Sequence, residues 1–356
     1  MLKTAETTRC GASAIRMDVL GPRETGKFVS THAKSVTVNQ EGIKDVTKEV
    51  IAFTSKQKLE LNSSAGPDNL LPKATDEDAA DFLFVTDVMN FCFWPDKDQP
   101  KWNVSWNGRS YTGYYALCAA LMKGRQENIP VTDPKFYSVI TEEQLGKMLR
   151  PEEGSGPVPL LPERVAALRQ AGATLIKKYG GTFRACIKEA NRSAQALVKL
   201  IVREFPSFRD EATYSGRTVS FYKRAQILVG DIWLLYDGKG LGEFSDIDEL
   251  TVFADYRVPQ VLVHFNALQY SDELMERLRK DEVLPNGSAE EVEIRGCTIE
   301  AVERITAAVR EHFKGDHGFN GISNATQVDH FLWNYRREHA DKLECVPFHK
   351  TRCIYY

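Results

Sequence analysis

Helical periodicity from Pro162 onward is what most constrains this chain. Val165, Leu168, Gly172 and Leu175 recur three or four residues apart, and Gly180-Gly181 ends the pattern. Ala190, Ala194, Leu197 and Ile201 predict a second helix over 182–204, and Phe221 to Tyr236 predict a third. Successive apolar stripes must bury their faces on one another, so the body packs helix on helix. No long alternation of strands with helices occurs, which argues against a doubly wound nucleotide-binding sheet. The one convincing β element is a small hairpin, Lys101 to Tyr111, turning at Asn107-Gly108. The fold class is mainly α.

The rest of the chain fits around that body. Residues 1–20 read as a poorly ordered lead. Helices are predicted from Pro22 to about Lys34 and around Ile43, Val46, Val50 and Ile51, with a β-favouring Val36–Val38 between them. Residues 55–74 read as a surface connection. Thr75 and Asp78 resemble a capping-box start, and Thr141 with Gln144 form a clear one. Tyr114 to Met122 is helical. The Gly- and Pro-rich stretch 151–162 is the best hinge. It separates an N-terminal helical subdomain with the hairpin (21–160) from a C-terminal helical subdomain (161–356), with the site in the cleft between them. Ser271 caps a helix over 272–282. The loop LPNGSAEEVEIRGC leads to a helix from Thr298 to Phe313, and after a further loop the last helix runs from about Gln327 to Glu338. The tail VPFHKTRCIYY is too apolar and aromatic for a disordered end, so it is expected to dock on the body.

Charge narrows the function classes. Lys+Arg 46 against Asp+Glu 49 gives a net charge of -3, unlike the strongly basic face of a bulk nucleic-acid binder. Seven scattered cysteines with no CxxC indicate free thiols in a reducing compartment. No apolar run is long enough to span a bilayer, and the N-terminus lacks a secretory apolar core, although Arg9 and Arg16 among Ser and Thr leave a transit peptide open. A cytoplasmic protein is expected. The histidines do not cluster at metal-ligand spacing, so no metal is expected.

The chemistry-bearing residues gather in a few places. In TVFADYRVPQVLVH, Asp255, Tyr256 and Arg257 stand just before Pro259, which suits the first turn of a helix whose apolar residues are Val261, Leu262, Phe265 and Leu268. Asp255 reads either as a helix-entrance cap or partner of Arg257, or as a carboxylate that does chemistry. Asp231 lies in the apolar run ILVGDIWLL, where an unpaired acid is costly: it braces the fold or serves a ligand. Phe91 and Trp94 form an aromatic core or a stacking wall. On the last helix Asp329, His330, Trp333 and Asn334 either brace loops or share a binding face.

Several long segments carry a resemblance. FVTDVMNFCFW, GRSYTGYYALCAA, VSFYKRAQILVGDIW, FADYRVPQVL, EVEIRGCTIEAVE and VPFHKTRCIYY look like the queuosine salvage family, over nearly the whole chain from Pro22 to Tyr356. The resemblance implies a monomeric, mostly helical enzyme without metal or cofactor, similar in fold to helix-hairpin-helix DNA glycosylases. It implies hydrolysis of the N-glycosidic bond of queuosine 5′-monophosphate, releasing queuine for reinsertion into tRNA. By motif, Asp255 is the expected catalytic carboxylate, and Phe253, Asp329 and His330 contact the base. Asn334 stands where relatives are expected to carry an acid. No histidine precedes Leu71-Pro72, where the family has one, and Asp68 is the substitute considered. Lys223, Arg224 and Arg257 are candidates for the phosphate. The acidic loop with Glu290, Glu291 and Glu293 should repel a DNA backbone, so no stable nucleic-acid binding is expected. The competing readings are a queuine or nucleobase carrier without catalysis, and a helical scaffold.

Overall fold

The computed structural model describes residues 19–56, 67–316 and 321–356. Among them the protein is mainly α, with small sheets of two or three strands. The expected lead over 1–20 lies outside the described residues except for Val19 and Leu20. These two form a strand parallel to Arg217–Ser220.

Two apolar cores carry the fold. One runs from Leu70 to Leu250 and includes helices on both sides of the 151–162 stretch. The other joins Val29, Ile43 and Val50 to chain after Tyr214, centred on the long helix Ala289–His312. That helix lies very close to helix Pro22–His32. A Cβ on Gly296 would sit 2.5 Å from the Val29 side chain, and one on Gly26 would sit 2.7 Å from Ile299. Glycine at both crossing points is what permits the approach.

Much of the local reading holds. Strands Asn103–Trp106 and Arg109–Thr112 turn at Asn107 and Gly108, both with positive φ, as a type I′ turn requires. The Thr141–Gln144 capping box is present in both directions. The tail docks: Cys92 N–H donates to the Tyr356 carbonyl at 2.9 Å, and Leu284 N–H to that of Lys350 at 2.8 Å.

Other expectations give way. The hairpin is not the only β element. Glu211–Tyr214 and Arg217–Ser220 form a second hairpin at Ser215-Gly216, and Val36–Val38 pairs with Leu268–Tyr270. Leu268 therefore belongs to a strand, not to the helix after Asp255, which is confined to Val258–His264 with Pro259 in its first turn. The helix over 182–204 is two, Phe183–Glu189 and Ala194–Glu204. Asn191 and Arg192 take left-handed φ between them, and Ser193 caps the second. Asp78 does not cap its helix; its carboxylate takes Arg125 at 2.5 Å and Thr132 at 2.9 Å. The helix expected from Thr298 begins at Ala289. Its acids are therefore no repelling loop. Glu293 is buried and accepts the amides of Lys34 and Ser35, while Glu291 pairs with Arg295.

Candidate functional site

A cavity of about 1390 Å³ opens between the two cores. It exceeds the roughly 300–1,000 Å³ of an ordinary ligand pocket. Phe253, Asp255, Asp231, Asp329, His330, Asn334, Trp94, Lys223 and Arg257 all line it. The chain thus brings together residues more than two hundred positions apart.

Asp255 answers both of its sequence readings. Its Oδ1 accepts the amides of Arg257 at 2.7 Å and Val258 at 3.0 Å, the entrance of helix Val258–His264. Its Oδ2 makes no hydrogen bond among the described residues. One oxygen caps the helix and fixes the carboxylate, which leaves the other available to the cavity. Donors on one oxygen stabilise the anion without consuming its second face.

The segment carrying Asp255 is held from behind by a buried arginine. Arg295 donates to the carbonyl of Ala254 at 3.0 Å, pairs with Asp210 at 2.5 Å, and reaches Glu291 at 3.2 Å. It stacks between Phe221 and Tyr356 at 4.0 and 4.3 Å, and the Tyr356 hydroxyl completes Glu291 at 2.8 Å. Asp210 also accepts the backbone amide of Lys223 at 3.3 Å. A single ionic node therefore fixes the backbone on which both Asp255 and Lys223 stand.

The floor is rich in acids. Asp329 accepts Phe253 N–H at 3.0 Å, joining helix Ala325–Glu338 to the segment that carries Asp255. Burial, and then the nearby charge of Asp255, push its carboxyl well above the ordinary range. Asp231 is pushed up as well, first by burial and then by Asp87 beneath it, and the Tyr114 hydroxyl is 3.4 Å away. Asp87 is raised to about 7, chiefly by burial. Its Oδ1 takes the Asn90 amide at 3.0 Å, and its Oδ2 is buried without a partner. Lys223 stands among these carboxylates. Burial lowers its affinity for a proton, against the pull of Asp255, Asp329 and Asp87. Its ammonium makes no hydrogen bond among the described residues. His330 is pushed down to about 4 by burial, and its Nε2 is buried without a partner. A neutral imidazole thus stands edge-on to Phe253, 6.4 Å between ring centres.

The aromatic wall is only partly the expected one. Phe253 packs on Gly230, where a Cβ would lie 3.0 Å from its ring. Trp94 lines the cavity, with Arg352 4.2 Å from its ring centre. Tyr114, Tyr115 and Trp333 extend the wall. Phe91 does not reach the cavity. It is fully buried between Arg164 and Arg224, 4.4 and 5.0 Å from its ring.

Arg224 and Asp68 are likewise committed elsewhere. Arg224 donates to the carbonyls of Asp87 and Val88 at 2.7 and 2.8 Å and to that of Ser207, which leaves it buried and away from the cavity. Helix geometry turns it inward while its neighbour Lys223 faces the cavity. Asp68 sits at the hairpin, where it accepts from the Tyr111 hydroxyl and pairs with Arg109 at 3.1 Å. It does not line the cavity.

At another part of the wall lie residues that sequence reading missed. Gln260, Arg336 and Arg337 join Arg257 there. Arg336 is seven residues after Asp329 and three after Trp333, so helical spacing was the available signal. Gln260 is nearly fully buried in an apolar helix, which was a second one.

Fold and cavity together define an enzyme-like helical protein built to enclose a polar, partly planar small molecule around a fixed carboxylate. The chain belongs to the queuosine salvage protein family, whose sequence pattern matches residues 70–356. It is 41% identical to the queuosine 5′-phosphate N-glycosylase/hydrolase of Bos taurus over 95% of this chain and 99% of that protein. The Mus musculus enzyme of the same name is 42% identical over 95% and 99%. That of Sphaerobacter thermophilus is 39% identical over 95% and 98%.

Proposed function

We propose that this protein hydrolyses the N-glycosidic bond of queuosine 5′-phosphate, with Asp255 as the catalytic carboxylate. The observation that carries the role is the split use of that side chain: Oδ1 is fixed by two helix-entrance amides and Oδ2 is left to the cavity. In the reaction the bond between the base nitrogen and C1′ breaks, and its electron pair leaves with the base. Positive charge develops on the ribose, as in glycoside hydrolysis. A carboxylate oxygen below C1′ stabilises that charge, and preorganisation in a site shielded from water enlarges the effect. Water then supplies hydroxyl to C1′ and a proton to the base, giving queuine and ribose 5-phosphate.

The surrounding groups suit the leaving base. Phe253 offers a stacking face. Asp329, whose neutral form is favoured by burial and then by the Asp255 charge, can offer an O–H to a departing ring nitrogen. The neutral His330, with its unpaired Nε2, can hydrogen-bond the base edge. Asp231 and Asn334 line the same cavity and are assigned to substrate contact. Lys223 lies deep among acids, which suits holding Asp255 ionised better than binding phosphate. The enzyme is further proposed to act as a cytoplasmic monomer that returns queuine for use in tRNA.

The test is product formation. Incubating the protein with queuosine 5′-phosphate should release free queuine, and Asp255→Asn should lower kcat by a factor on the order of 10³ while substrate still binds. Tight queuine binding with no release by the unaltered protein would instead identify a carrier.

A further inference from the structure

The node behind Asp255 is assembled from four distant parts of the chain. Asp210 and Phe221 precede helix Lys223–Leu235, and Ala254 belongs to the Asp255 segment. Glu291 and Arg295 lie one turn apart on helix Ala289–His312, and Tyr356 comes from the tail. Arg295 ties the first three parts together by itself. The tail adds what Arg295 lacks. With Phe221 at 4.0 Å, the Tyr356 ring at 4.3 Å fixes the plane of the guanidinium. The Tyr356 hydroxyl donates to Glu291 Oε1 at 2.8 Å, the same oxygen that accepts from Arg295 Nη1 at 3.2 Å. The other oxygen of Glu291 takes the Gly287 amide at 3.1 Å. Tyr356 borders the cavity, but it is only 1% exposed and its hydroxyl is engaged by the node.

The direction of these bonds follows from the groups themselves. A phenol has one hydrogen, and an ionised carboxylate can only accept. The Tyr356 O–H goes to Glu291, so His349, whose Nε2 is 3.2 Å away, is the donor to the phenol oxygen. That tautomer leaves Nδ1 a bare acceptor, and Nδ1 is buried without a partner. A second ring proton would meet no acceptor there. Burial, and then the charge of Arg295, push His349 down to about 3. The neutral imidazole therefore orients Tyr356, Tyr356 and Arg295 both donate to Glu291, and Arg295 donates on to the Ala254 carbonyl at 3.0 Å. Asp255 is the next residue.

We propose that Tyr356, oriented by His349, is a positioning residue for turnover: it holds Glu291 and Arg295 so that the Ala254 carbonyl, and with it the Asp255 carboxylate, keeps its orientation. A displacement of about 1 Å at a reacting group can cost roughly 10²-fold in rate. The inference rests on the reading of Asp255 as the catalytic carboxylate. Glu291 is the joint that titrates. Burial raises its carboxyl; Arg295 on the same helix and then the Tyr356 hydroxyl oppose that rise, Asp210 adds to it, and the Gly287 amide opposes it. The other tail groups near it are neutral: His349, and the Cys353 thiol, which burial pushes up to about 12. Without the hydroxyl, Glu291 takes a proton at higher pH, and a protonated Glu291 no longer neutralises Arg295.

The test measures kcat on queuosine 5′-phosphate, and queuine affinity by calorimetry, in the full-length protein below the melting temperature of each variant. Tyr356→Phe keeps the ring and loses the hydroxyl. Its kcat should fall roughly 10- to 100-fold while queuine affinity stays within about twofold of wild type, and the acidic limb of its kcat profile should move to higher pH. Glu291→Gln cannot titrate. Adding Tyr356→Phe to it should give no pH shift and leave kcat within about twofold of Glu291→Gln alone. His349→Phe, which removes the donor to the phenol oxygen, should show the Tyr356→Phe pattern at smaller size, and it carries the test if Tyr356→Phe does not fold. Unchanged kcat in Tyr356→Phe, a loss confined to queuine affinity, or additive losses with Glu291→Gln would each overturn the inference while the glycosidase reading stands. If wild type releases no queuine, the glycosidase reading fails and the inference falls with it.

Discussion

Two buried charge clusters lie back to back across residues 254–255, and they are built on opposite terms. Around Arg295 nearly every polar group is answered: Asp210, Glu291 and the Ala254 carbonyl close on one guanidinium between two rings, and the Tyr356 hydroxyl donates to Glu291. Around Lys223 the groups are left open. Asp329 and Asp231 are driven toward their neutral forms, the Lys223 ammonium has no hydrogen bond among the described residues, and His330 Nε2 has no partner. In a low-dielectric interior a satisfied network rigidifies, whereas an unsatisfied one is held at a cost in stability. The first cluster fixes backbone geometry, and the second keeps free valences for a ligand. The same contrast separates neighbours in sequence: Arg224 is committed to backbone carbonyls while Lys223 faces the cavity.

The comparison can be broken at the satisfied cluster. Arg295→Met leaves Asp210 and Glu291 buried and unpaired, so it should destabilise the protein by about 3–5 kcal/mol. It should also lower turnover, because the Ala254 carbonyl loses its anchor; denaturant unfolding and kcat measure the two effects. A stable variant with normal turnover would show that the node does not position Asp255. A smaller effect is expected at Gly230. Gly230→Ala drives a methyl toward the Phe253 ring, and such overpacking costs about 1–3 kcal/mol. If Phe253 contacts the base, queuine affinity should fall with it; lost stability at full affinity would place Phe253 in the core alone.

The smallest effects should come from pH, and their signs sharpen the contrast. His330 titrates near 6.5 when unfolded and is pushed down to about 4 when folded. Between those values the unfolded chain binds more protons, so this stabilisation is present above pH 6.5 and lost as pH falls toward 4. Asp231 is pushed up, so the folded state holds the extra proton, and its contribution falls as pH rises above about 4. Asp231→Asn should therefore raise the melting temperature more at pH 8 than at pH 5. An equal change at both would mean that the open cluster carries no such penalty.

How much of this was legible in the chain depended on the range of the interaction. Turn and cap chemistry is local, so Asn107-Gly108 and Thr141–Gln144 were readable. At Ser193 the cap signal is masked by the helical spacing of Ala190, Ala194, Leu197 and Ile201, which continues across it. At the site, motif resemblance singled out Phe253, Asp255, Asp329 and His330, and all four line one cavity. Charge and sequence proximity failed for Arg224, as aromatic content did for Phe91, because neither states which way a side chain turns. Asp68 failed because an acid near the expected place found closer donors on the hairpin.

The sequence by itself determined the helical class, the helix entrance after Asp255, the docking of the aromatic tail and the family. Each follows from periodicity, local hydrogen-bond chemistry or an ordered set of motifs. Only the tertiary structure decided which charges are paired and which are open. It set Arg295 behind Asp255, gathered Lys223 among three acids, and brought Arg336 to Arg257 across Gln260. Pairing depends on burial and on partners tens to hundreds of residues away, and the local residue pattern does not encode those distances.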